Sequence, residues 1–182
     1  MKTKLENGVM KDNQSGFSLL ELLLVVGVGA LLLLAGISTY RLVTSGNSVN
    51  DATRLLTTIK TETQRIYQGQ AQYTGLNNAL LNNAGAFPSG VVDGAGQPKH
   101  SWGNNIDVAV SNAPANDQFT ITFTNIPAEA CIKVGQAFDA SDTDFVGVDI
   151  NGNGQTPNPT PATVNADCTT AGADATVVWE FF

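Results

Sequence analysis

Hydrophobic and polar positions divide the chain into three stretches with different periods. From Phe17 to Thr39, 23 residues carry one charge, Glu21, and are apolar on every side of a helix. At 1.5 Å per residue such a helix would span roughly 30 Å of hydrocarbon. From Val49 the period changes. Val49, Ala52, Leu56, Ile59, Thr63 and Ile66 recur at steps of three and four, with Leu55 widening the stripe and Arg54, Lys60, Glu62 and Arg65 mostly on the other face. This is an amphipathic helix with one side to lay on a sheet. Between the two, Ser45-Gly46-Asn47-Ser48 has low helix propensity and predicts a kink.

After Gln68 the period falls to two. Strands are predicted at Ile106–Val110, Phe119–Thr124, Phe145–Ile150 and Thr176–Phe182. Alternation in the last places Trp179 on a buried face and Phe182 near an edge. A short helical piece within Tyr73–Gly85 and turns at Phe87–Gly90 and Asp93–Gly96 lie between helix and sheet. Residues 112–117 read as a hairpin loop, Pro127–Phe138 as a short helix, and Asn151–Asn165, rich in Gly, Pro, Asn and Thr, as loop. The class is α+β.

A carboxylate inside an apolar span costs a few kcal/mol unless something pairs with it. A cut between Gly16 and Phe17 would give Phe17 a positive α-amino group. Glu21 cannot easily reach the amine of its own helix, whereas a neighbouring copy shifted along its axis could bring its amine to Glu21. The pair would then set register between subunits. An acid at the membrane rim, solvated by headgroups, is the plainer alternative. Gly27, Gly29 and Gly36 fit either close helix packing or local unwinding.

Charge narrows the function further. The net charge is −7. Lys2, Lys4 and Lys11 against Glu6 and Asp12 give residues 1–16 a side-chain charge of +1, leaving −8 on the rest. From Asp93 onward only Lys99 and Lys133 oppose eleven acids, which argues against nucleic acid as a partner. No catalytic site emerges. His100 lies alone in a Pro-Lys-His-Ser-Trp turn and reads as solvated. Asp149-Ile150-Asn151-Gly152-Asn153-Gly154 opens like a calcium loop, but its twelfth position is Thr160 instead of Glu. Asp149, Asn151 and Asn153 are therefore weak calcium candidates, which Asp139, Asp142 and Asp144 could join; no metal and no cofactor are expected.

Residues 1–16 hold no apolar core of a conventional secretory signal; the apolar run follows the proposed cut. Gly16-Phe17-Ser18-Leu19-Leu20-Glu21 followed by that run resembles the class III signal of type IV prepilins. The resemblance implies cleavage after Gly16 by a prepilin peptidase, N-methylation of Phe17, and docking of subunits through Glu21 and the Phe17 amine. The leader stays cytoplasmic and the bulk of the chain crosses the membrane. Cys131 and Cys168 then meet an oxidising compartment and are expected to pair. Their loop of about 38 residues would restrict the unfolded chain by roughly 4 kcal/mol.

The order of elements also resembles the type IV pilin fold: a long N-terminal hydrophobic helix packed on an antiparallel β-sheet, with a disulfide-tied C-terminal region. Tyr73–Asn78, the Ser101-Trp102-Gly103 turn, the late cysteines and the long leader are similar to the IVb branch, although Phe at the first mature position is a IVa habit. Three parts are expected: a leader (1–16), a membrane-spanning and filament-core half-helix (17–40) and a globular head (41–182). The function implied is that of a major pilin, a homopolymer of the chain serving adhesion, aggregation or conjugative contact. Its further partners would be the inner-membrane assembly machinery and minor pilins or a tip adhesin. A minor pilin or type II secretion pseudopilin is the alternative, and a membrane-anchored binding domain that never polymerises a lesser one. The chain would wait in the inner membrane and end in an extracellular filament.

Overall fold

The computed structural model describes residues 18–170, 172 and 174–182, and the side chains of 36–45 are not among them. The elements run α1 (Leu19–Ile66), α2 (Asn78–Asn83), β1 (Ile106–Ser111), β2 (Gln118–Pro127), α3 (Ala128–Val134), β3 (Phe145–Ile150), α4 (Pro161–Thr170) and β4 (Asp174–Phe181). Two compact units meet between Leu42 and Val43. α1 is helical through Ser45-Gly46-Asn47-Ser48, where propensity predicts a kink.

In the second unit all strand pairs are antiparallel, in the order β1-β2-β4-β3. Alternation decides which face is inside. Phe119, Ile121, Phe123 and Ile126 of β2 and Ala175, Val177, Trp179 and Phe181 of β4 are all buried. One extra residue on β2 between Phe123 and Ile126 interrupts the ladder. Asn125, at φ 54°, makes that bulge and returns Ile126 to the core side. Onto this face α1 lays Val49, Ala52, Leu55, Leu56, Ile59 and Thr63; Ile66, partly buried, packs against the same core, and Tyr67 just past the helix is buried with it.

Both edges of the sheet are occupied. At β1, the Asn78 side chain donates to the Ile106 carbonyl and accepts from the Val108 amide, each at 2.9 Å, as a neighbouring strand would. At β3, Thr156 folds back to exchange both backbone hydrogen bonds with Val148. That return needs Gly147, because a Cβ there would stand 3.3 Å from the Thr156 backbone. Unpaired edges are templates for pairing with other chains, and these contacts cover part of each edge.

The stretch expected to be loop up to Asn165 instead turns helical at Pro161. Pro at a first helical position costs no hydrogen bond. Thr160 and Thr163 bond each other's amides reciprocally through their hydroxyls, at 3.3 and 3.1 Å, in the manner of a capping box. Val164 and Cys168, four apart, form the buried side. Cys131 of α3 and Cys168 of α4 form a disulfide with Cα atoms 5.9 Å apart. Replacing both cysteines by alanine should lower the stability of the head by about 2–5 kcal/mol; thermal melts of the purified full-length chain, oxidised and doubly substituted, would measure it.

Candidate assembly surface

The first unit offers surface without a partner. Leu19, Leu20, Leu22, Leu23, Leu24, Val25, Val26, Val28 and Leu31 to Leu34 are each 49–80% exposed. At 100° per residue these twelve positions cover the whole circumference of α1. A patch of a few hundred Å² is already large for a chain that stays single in water. Burying such side chains fully is worth roughly 1.5–3 kcal/mol each. At Gly27 and Gly29 no atom lies within 4 Å of where a Cβ would stand, so nothing in the chain itself requires glycine there. Among the described residues no helix is long and apolar enough to cross a membrane; the described apolar turns, 19–35, rise about 25 Å.

Glu21 lies in the first turn of α1 and is exposed. Ser18 and Glu21 have the spacing of a capping box. Among the described residues, however, the Glu21 side chain has no hydrogen-bond or ion-pair partner. The helix opens instead through the backbone bond from the Leu22 amide to the Ser18 carbonyl, 3.1 Å. Local capping therefore does not account for the acid. Gly16 and Phe17, expected at the cleavage, methylation and docking positions, lie outside the described residues.

In the second unit the charged groups hold the fold together. Lys60 reaches Asp144 at 2.8 Å, with side chains 11% and 32% exposed. Its ammonium stands 4.8 Å and 5.1 Å from the ring centres of Phe138 and Phe181. Gln64 donates to the other Asp144 oxygen at 2.7 Å. Burial would raise the Asp144 carboxyl, but the bonds from Lys60 and Gln64 outweigh it and hold it below the usual range. This cluster ties α1 to the start of β3, and sequence spacing alone could not have found it.

His100 is not solvated. It is 3% exposed, stacked at 5.1 Å on Phe123 and edge-on at 5.5 Å to Trp102. Its Nε2 donates to the Thr124 carbonyl at 2.8 Å, and its Nδ1 accepts from the Trp102 amide at 3.3 Å. These partners suit a neutral ring protonated at Nε2. Burial pushes the imidazole below its ordinary value, more than the Thr124 carbonyl lifts it. The residue pins the loop before β1 to β2.

The weak calcium candidates serve loop closure. Asn151, at φ 58°, accepts from the Thr176 amide and donates to the Asp167 carbonyl, each at 2.8 Å. Asn153 donates to Asp167 and Thr170, and Asp149 accepts from the Gly154 amide. Asp139 and Asp142 cap their own turn. Among the described residues no three His, Cys, Asp or Glu side chains gather as a metal site.

Residues 47–181 match the protein family described as PilS N terminal, and residues 11–37 match the prokaryotic N-terminal methylation motif. The chain is 23% identical over 143 residues to the major structural subunit of bundle-forming pilus of Escherichia coli O127:H6 (strain E2348/69 / EPEC), covering 78% of this chain and 74% of that protein. The protein of the same description from Escherichia coli O111:H- is 22% identical over 125 residues, covering 68% and 65%. The crystal structure of type IV b pilin from Salmonella typhi is similar at a TM-score of 0.56 and 26% identity, over 74% of this chain and 97% of that one. TcpA, a type IV pilin from Vibrio cholerae El Tor biotype, shares the fold at a TM-score of 0.50 and 16% identity, over 74% and 98%.

The two depressed groups give separable acid limits. An unfolded chain takes a proton on His100 near pH 6.5 more readily than the folded one does, so that contribution is present above 6.5 and lost as pH falls below it. Asp144 is lost only below 3.8. Thermal midpoints of the wild type should therefore begin to fall below pH 6.5, and His100→Asn, less stable at neutral pH, should flatten that part of the profile.

Proposed function

The chain belongs to the PilS family of type IVb pilins, and from that premise we propose that it is the major structural subunit of a pilus filament. The observation that carries the reading is the apolar surface all round residues 19–34, which is uncovered among the described residues. The role named for both Escherichia coli relatives supports it. A prepilin peptidase removes residues 1–16 and Phe17 is N-methylated; the match of residues 11–37 to the methylation motif supports both steps. Residues 17–40 hold the precursor in the inner membrane and later form the filament core, and 41–182 form the head. The role is structural, with no catalysis.

Assembly exchanges lipid for the helices of other copies. Lipid tails are as apolar as Leu, so the exchange gains little from hydrophobic burial, and packing and polar pairs must favour the filament. Here Glu21 matters. In lipid it is a carboxylate with no fixed partner, and in the filament it meets the Phe17 amine of a neighbour. The cost of carrying the acid is thus relieved only at one register. An inner-membrane assembly machine supplies the extraction, and minor pilins or a tip adhesin complete the filament. The heads face solvent and make adhesive, aggregative or conjugative contacts.

Microscopy of surface shearings, with intact mass of their dominant protein, tests the reading. Filaments made mainly of a chain beginning at Phe17 are expected. A processed chain confined to the membrane would indicate a minor pilin or pseudopilin, and an uncut chain would remove Gly16 from the account. Glu21→Ala should leave membrane insertion intact and lower filament yield by roughly ten-fold or more, the scale of a lost buried pair.

A further inference from the structure

α1 and the loop before β1 enclose a cavity of about 550 Å³, lined among others by Asp51, Arg54 and Thr58 from the helix and Lys99, His100 and Ser101 from the loop. Two of the few cations of the head thus converge on one concavity. Lys99 is engaged with Asp93 at 3.6 Å, while Lys60 and Arg65 pair with Asp144 and Glu62. Arg54 is exposed; its carbonyl accepts from the Thr58 hydroxyl, but among the described residues its guanidinium has no hydrogen-bond or ion-pair partner, not even Asp51 three residues before it. Leu55 and His100, both buried, are among the other residues that line the cavity. A guanidinium held at such a mouth suits a carboxylate.

The complementary groups stand elsewhere on the same chain. Glu129 and Asp174 are exposed acids that likewise have no partner among the described residues. They lie at one end of the sheet: Asp174 is paired in register with Pro127, two residues before Glu129. Neither lines the cavity. We infer that these acids of a second copy enter the Arg54 cavity. The inference rests on the proposed polymer. Copies of a chain with net charge −7 repel one another unless each contact sets a cation against an acid. A cavity and an acidic edge on one chain make a heterologous contact, which propagates into an open helix instead of closing a dimer.

The test uses the full chain expressed in its own cells, with filament yield in shearings as the readout and processed subunit in the membrane as the folding control. Arg54→Glu should cut yield by roughly ten-fold or more by placing like charges together, and Arg54→Lys should retain most of it. Combining Arg54→Glu with Glu129→Lys and Asp174→Lys should restore filaments. Unchanged yield with Arg54→Glu, or no restoration by the swap, overturns the proposal. Normal filaments that lose adherence would assign the cavity to an external carboxylate ligand and overturn it equally. A wild type without filaments would sink the pilin reading first and this contact with it.

Discussion

Burial on α1 is uneven, and most of the molecule can be understood from that. Between Val49 and Tyr67 the helix has one apolar stripe, and the sheet covers it. Between Leu19 and Leu34 the apolar side chains point everywhere, and among the described residues no element covers them. A stripe can be satisfied by one partner, but a full circumference needs surroundings, either lipid or several other helices. The sequence therefore commits its first turns to an environment supplied from outside. The second unit is left to fold by itself and to keep its own apolar groups inside.

The head is built so that it does not compete for this association. Asn78 and Thr156 occupy the two sheet edges that could recruit strands from other chains. The disulfide and the packing at Gly135, where a Cβ would meet Val164 at 2.9 Å, hold α3 and α4 together without a large core of their own. Lys60, Asp144 and Gln64 fix the helix to the far side of the sheet. A sticky edge would permit association in many registers. With both partly covered, fewer backbone groups are left to pair with another chain.

Period made most of this legible. Steps of three and four found the stripe of α1, and steps of two found the four strands, because those patterns are set by which side of an element is covered. The apolar run found the exposed surface of residues 19–34 for the same reason. What escaped was decided by single side chains acting across long separations. Composition made 151–165 look like loop, yet Thr160 and Pro161 start a helix and Cys168 anchors it. Nothing local distinguishes His100 from a solvated histidine; only Thr124, 24 residues on, makes it structural. Asn78 was legible only as part of the short helical piece within Tyr73–Gly85, and its role at β1 needs a partner 28 residues away.

Apolar burial is strong and nearly blind to direction, whereas charge is weak in water and specific in register. The chain separates the two. Its apolar turns carry a single acid, and its head ties Lys60, Arg65 and Lys99 to acids of its own, leaving Arg54 in a cavity and Glu129 and Asp174 at one end of the sheet. An apolar helix among identical helices could slide along its axis at little cost, because one leucine replaces another. A buried carboxylate cannot slide without losing its partner, and a head contact between opposite charges cannot slide without setting acids together. Two sparse polar constraints, one in the core and one at the surface, would select one helical arrangement out of many that satisfy burial equally well.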